Sequence, residues 1–191
     1  AALELRDGDR VVFLGDTLIE REQYHGWVEL MLTSRFPERN VTFRNLGWSG
    51  DTPVGESRFG LSLLQAGKEP ANEGWTQLVK QIEDTKPTVV FVGYGMAASF
   101  EGEAGREKFR TDYRQLLDMI AKVSPGARVV LVGTVRHETL GAPWADPARH
   151  NVELERTSAV VREIAAERSA TFFPLHDALR APMDRATAAN G

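Results

Sequence analysis

Apolar residues along the chain follow two alternating rhythms. Val11-Val12-Phe13-Leu14 is apolar at every position and stops at Gly15-Asp16-Thr17. Similar runs recur at Val41 to Leu46, Thr88 to Val92 and Ala127 to Val132, and more weakly at Thr171 to Leu175. Between them the spacing changes. Trp75, Leu78, Val79 and Ile82 fall on one helical face, as do Phe109, Tyr113, Leu116, Leu117 and Ile120. Leu154, Val161, Ile164 and Ala165 mark a further helix, and Tyr24 to Phe36 is read as another. Pro87 and Pro125-Gly126 punctuate the pattern. Strands apolar on both faces belong to a parallel sheet with helices on each side. The alternation therefore predicts one doubly wound α/β domain over residues 1–191.

Composition narrows the chemistry. With 42% hydrophobic and 26% charged residues the chain is ordinary for a globular domain. The net charge of -4, with Arg and Lys scattered among Asp and Glu, argues against nucleic acid as a partner. The absence of cysteine excludes disulfides, thiol catalysis and Cys-ligated zinc. No run approaches the roughly 20 apolar residues of a membrane span. Ala1-Ala2-Leu3 is what cleavage at a small-residue site would leave, which favours an extracytoplasmic place.

In an open parallel sheet, ligands bind beyond the carboxyl ends of the strands. Those ends read Gly15-Asp16-Thr17, then Asn45 to Thr52, then Gly93-Tyr94-Gly95-Met96-Ala97-Ala98-Ser99, then Gly133 to Glu138. Glycine and short polar residues there let a substrate approach the backbone and leave N–H groups free for an anion. Gly93-Tyr94-Gly95 is too short for a dinucleotide fingerprint and follows the third strand rather than the first.

Gly15-Asp16-Thr17-Leu18 after the first strand, Ser49-Gly50-Asp51-Thr52 after the second and a glycine loop after the third resemble the SGNH hydrolases, the GDSL esterase/lipase family. The resemblance extends over the whole chain, with runs similar to those of GDSL-like proteins from planctomycetes and verrucomicrobia. It implies a three-layer α/β/α flavodoxin-like domain with a five-stranded parallel sheet, here with the last helix missing. It also implies ester hydrolysis by a serine nucleophile, an oxyanion hole and a late Asp-x-x-His. Carried over by position, Thr17 stands at the nucleophile and Gly50 at the second oxyanion donor. Ala97 stands where the oxyanion asparagine belongs, and no Asp-x-x-His is found. The substrate implied is a small ester, such as an acetylated carbohydrate, with no cofactor. A noncatalytic ligand-binding module on the same scaffold is the alternative.

Each residue also has a plainer reading. Thr17 suits a helix N-cap, with Glu20 completing a capping box. Asp16 suits a loop-organising acceptor as well as a catalytic role. Gly47 and Gly50 suit turns as well as an oxyanion loop, and Trp48 suits packing as well as a pocket wall. Tyr94 and Ala97 are further candidates for contact with substrate. His137 is a candidate base beside Glu138, although adjacent residues on an extended segment point apart. Histidines at 25, 137, 150 and 176 form no helical i, i+4 pair and no His-x-His, so no built-in zinc site is expected. Leu61-Ser62-Leu63-Leu64, in the long irregular stretch from Gly47 to Asn72, is a candidate lid or contact segment.

Overall fold

The computed structural model describes residues 3–58 and 72–190, the last four of these by their helical backbone alone. The candidate lid at Leu61 to Leu64 lies outside the described residues. Five parallel strands, β1 (Arg10–Gly15), β2 (Thr42–Gly47), β3 (Val89–Gly93), β4 (Arg128–Val132) and β5 (Thr171–Phe173), lie in the order β2-β1-β3-β4-β5. That is the flavodoxin-like order expected. Among the described residues the helices are α1 (Thr17–His25), α2 (Trp27–Arg35), α3 (Glu73–Thr85), α4 (Met96–Ser99), α5 (Gly102–Val123), α6 (Ala148–Glu167) and α7 (Leu175–Asn190).

The sheet is covered on both faces. Val12, Leu14, Val90, Val92 and Leu131 pack with Leu78 and Ile82 of α3, Phe109 to Ile120 of α5, and Val160, Val161 and Ile164 of α6. Val11, Phe13 and Val89 point the other way, against Ile19 of α1 and Val28 and Leu32 of α2. Alternate residues of one strand thus enter opposite cores, which is why the runs are apolar throughout.

Three expectations are corrected. The helix read over Tyr24 to Phe36 is two helices, because Gly26 between them adopts a left-handed φ of 66°. Its N–H donates to Glu22 O at 2.7 Å and ends α1. The glycine loop after β3 contains the short helix α4. A helix, α7, follows β5, where the sequence reading ended the fold.

The register places the site. Gly15 stands beside Gly47 on one side and Gly93 on the other, a row of glycines across three strand ends. A Cβ at Gly47 would fall 2.3 Å from the Glu20 amide nitrogen, and one at Gly15 2.5 Å from Ile19 Cγ1. The row is a seat for the first turn of α1. Between β1 and β3 the chain's winding reverses direction, and this is the switch point at which such sheets open a crevice.

Candidate active site

The turn after β1 is organised by Asp16, which is 3% exposed. Its Oδ1 accepts from Leu18 N at 3.3 Å, and its Oδ2 accepts from Gly95 N and Met96 N, both at 3.1 Å. Asp16, rather than Thr17, is therefore the N-cap of α1. The same carboxylate ties the first strand end to the third. Burial pushes its pKa up to about 6, against the pull of the three amide donors. The folded state holds this proton more tightly than the unfolded chain does. Its contribution is complete below the ordinary carboxylate value of 3.8 and is lost as pH rises through about 6. The loss amounts to at most about 3 kcal/mol. Thermal unfolding between pH 4 and 7 is expected to show that downward slope relative to Asp16→Asn, which has the same shape and no titration. Parallel pH profiles for the two proteins would contradict it.

With Asp16 as cap, Thr17 becomes the first helical residue and its hydroxyl is free for other work. Thr17 Oγ accepts a hydrogen bond from Gly50 N at 3.0 Å. The hydroxyl and the amide that the sequence pairs as nucleophile and oxyanion donor thus meet directly, at the exposed ends of β1 and β2. Gly50 has a φ of 69°, a left-handed conformation that other residues adopt only with strain. Its carbonyl accepts from Ser57 Oγ at 3.0 Å. Trp48 N donates to Gly15 O and Ser49 Oγ to Glu20 Oε2, both at 3.0 Å. The loop is stitched to β1, to α1 and to itself.

Beneath the loop lies a buried ion pair. Arg58 and Asp51 have fully buried side chains, with Arg58 Nε 2.9 Å from Asp51 Oδ2 but outside the angle of a directed hydrogen bond. Arg58 Nη2 donates to Leu46 O at 2.8 Å and to Tyr94 Oη at 3.1 Å, and Nη1 donates to Gln81 Oε1 at 2.7 Å. Tyr94 in turn donates to Asp51 Oδ2 at 3.1 Å. Tyr94, expected to face substrate, is instead a core residue that holds the loop from below, and burial pushes its hydroxyl pKa well up. Gly47, also expected at the substrate, is filled by the backbone of α1. No sequence signal marks Arg58, a single basic residue in a loop.

Ala97, in α4, lines a crevice of about 40 Å³ that faces Thr52 and Pro53 of the Gly50 loop. Thr17 and Gly50 do not line that crevice, and position 97 presents a methyl group to it. Trp48 is 42% exposed.

His137 is engaged elsewhere. Its backbone N–H donates to Asn151 Oδ1 at 2.8 Å, and Asn151 Nδ2 donates back to His137 O at 3.0 Å. Its ring Nε2 lies 3.0 Å from His150 Nδ1, and His150 Nε2 lies 2.8 Å from Ser99 Oγ. Burial, and then the neighbouring His137, hold the His150 pKa below the ordinary imidazole value. The histidine pair leads to the end of α4. Among the described residues, no histidine hydrogen-bonds Thr17 Oγ. The pair lines an open cleft of about 800 Å³, bordered by the exposed rings of Phe100 and Trp144 and by Glu101, Glu138 and Asp146. The Ser99–His150 contact has no sequence signal, because the two residues lie on different elements.

The model of the GDSL-like lipase/acylhydrolase family matches residues 13–189. No curated protein matches the chain by sequence. Among solved structures, a gut microbial diltiazem-metabolizing enzyme superposes with a TM-score of 0.66 at 22% identity, over 94% of this chain and 39% of its own. An acetylxylan esterase from Geobacillus stearothermophilus superposes with a TM-score of 0.65 at 16% identity, over 95% of this chain and 83% of its own. Its catalytic mutants replace a serine, and an aspartate and a histidine three positions apart. A lipase/acylhydrolase from Enterococcus faecalis gives a TM-score of 0.58 at 19% identity, over 93% of this chain and 80% of its own. At these identities the likeness shows a shared fold.

Proposed function

Because the chain belongs to the GDSL-like lipase/acylhydrolase family, we propose that it hydrolyses a small carboxylic ester through Thr17. The observation that carries this is the 3.0 Å hydrogen bond from Gly50 N to Thr17 Oγ. It holds nucleophile and donor together at the strand ends. Oγ attacks the acyl carbon and its proton passes to water, while Gly50 N–H moves from Oγ to the developing oxyanion. The alcohol leaves with a proton from solvent, and water then cleaves the acyl-threonine. With no histidine at Oγ among the described residues, the first step is slow. The extra methyl of threonine restricts χ1 further.

An acetylated carbohydrate is the substrate class put first. One structurally similar enzyme is an acetylxylan esterase. The cleft beside α4 also presents two exposed aromatic faces among carboxylates, which suit the stacking and hydroxyl contacts of a sugar ring. The second reading, a noncatalytic carbohydrate-binding domain, is favoured by the alanine at position 97 and by the lack, among the described residues, of a histidine at Thr17 Oγ. Hydrolysis of p-nitrophenyl acetate separates the two. Thr17→Ala is expected to reduce turnover about tenfold, to the level of the remaining site. Thr17→Ser is expected to match or exceed wild type. Turnover unchanged by Thr17→Ala removes the hydroxyl from the mechanism. Sugar binding with no turnover above buffer establishes the second reading.

A further inference from the structure

Where β5 runs into α7 the chain buries a histidine without satisfying it. His176, the second residue of α7, is 3% exposed, and neither ring nitrogen has a hydrogen-bond partner. A neutral imidazole carries one donor and one acceptor, and each left unmet in the interior costs free energy. Such a group in a native fold calls for a partner.

Two carboxylates stand beside it. Asp177 is next in the chain, and Glu155 comes from α6. One ligand-type atom from each of Glu155, His176 and Asp177 lies within 4.8 Å of the others. His176 Nδ1 and Asp177 Oδ1 are 3.7 Å apart, too far for a hydrogen bond. A shared ion explains that distance. Two ligands each about 2.1 Å from a zinc ion stand about 3.4 Å apart at the tetrahedral angle, and about 3.7 Å apart when the angle opens to about 125°.

Each carboxylate is also held by an arginine. Arg162 Nη2 donates to Asp177 Oδ2 at 2.8 Å, and Arg180 Nη2 donates to Glu155 Oε1 at 2.8 Å. Arg180 also approaches Asp177 Oδ1, but only to 3.7 Å. Among the described residues that oxygen accepts no hydrogen bond. Outer donors that hold one oxygen of a carboxylate and leave the other to a metal are the usual second layer of such sites.

We propose that His176, Asp177 and Glu155 bind a divalent transition-metal ion of the zinc type, with a fourth position for water. The buried imidazole gives the preference. Calcium and magnesium take oxygen ligands, whereas zinc takes nitrogen and oxygen together. The two arginines balance the two carboxylates, so binding in the micromolar range is expected rather than a permanently loaded site. A bound ion would fasten the start of α7 to α6 and satisfy one of the two unpaired nitrogens. The sequence reading looks for zinc in paired histidines. This site uses one histidine, its chain neighbour and a residue of another helix, so no spacing reveals it.

The test is titration of untagged protein with zinc chloride by calorimetry, with thermal unfolding in the same solutions. One ion per chain and a raised Tm are expected. Glu155→Gln and Asp177→Asn, both at the surface, are each expected to weaken binding about tenfold or more, and His176→Asn likewise. His137→Asn, in the other histidine pair, is expected to leave affinity and stoichiometry unchanged. The two carboxylate variants decide the matter if His176→Asn does not fold. No heat up to millimolar zinc overturns the proposal. So does binding that survives both carboxylate variants, or binding lost with His137→Asn.

Discussion

Arg58→Met is expected to lower the stability of the fold by about 3–5 kcal/mol. The reason is what it leaves behind. Asp51 is fully buried with its carboxylate against Arg58, and burial alone pushes its pKa up. Removing the guanidinium leaves that charge with the Tyr94 hydroxyl and the Ser57 amide as partners. It also removes a donor from Leu46 O and from Gln81 Oε1, both of which Arg58 now serves. A chain of this size loses about 2–4 °C in Tm per kcal/mol, so a fall of about 6–20 °C should be visible in a thermal scan. The same ion pair sits under the loop that presents Gly50, so esterase turnover should fall well below the unfolding temperature too. The double variant Asp51→Asn/Arg58→Met is expected to cost less than the sum of the single changes, because no unpaired charge remains. An Arg58→Met protein that melts at the wild-type temperature would mean the pair contributes nothing.

The contrast between Arg58 and Thr17 shows what is legible in the sequence. The central strands β1 and β3 are legible because they are buried on both faces, and Val11 to Leu14 suits nothing but a covered sheet. The stripe of Trp75, Leu78, Val79 and Ile82 places α3 for the same kind of reason, a repeated demand made by the core. That Thr17 and Gly50 lie close together is legible from their position at successive strand ends. Local competition is not legible. Asp16 and Thr17 are both good caps, and only the backbone turn decides that Asp16 takes the role and frees the threonine hydroxyl. Gly26 sits within an apolar rhythm that continues on both sides, so its left-handed break leaves no mark. Tyr94 reads as a pocket residue because it follows a strand end. The arginine that draws it inward is far away in the chain, as is Glu155 from His176. Pairings across elements depend on the fold, and single residues carry no trace of them.

Ala97→Asn is expected to raise turnover of p-nitrophenyl acetate about 10²–10³-fold, the usual worth of one oxyanion donor. The position is prepared for it. Ala97 lines a crevice shared with Asp51, Thr52 and Pro53, the residues that follow Gly50 in its loop. It follows Met96, whose N–H is held by Asp16, the residue adjoining Thr17. A carboxamide there would add a second donor to the one Gly50 already supplies. The gain does not require a base, since donors aimed at the oxyanion accelerate acyl transfer even where the proton-transfer machinery has been removed. Thr17→Ala in the Ala97→Asn background should therefore return the rate to that of Thr17→Ala alone, which shows that the new donor acts on chemistry at Oγ and not on a stray surface group. If Ala97→Asn folds normally and turns over no faster than wild type, α4 does not face the reacting carbonyl. Ala97 would then line a binding crevice and not an oxyanion hole.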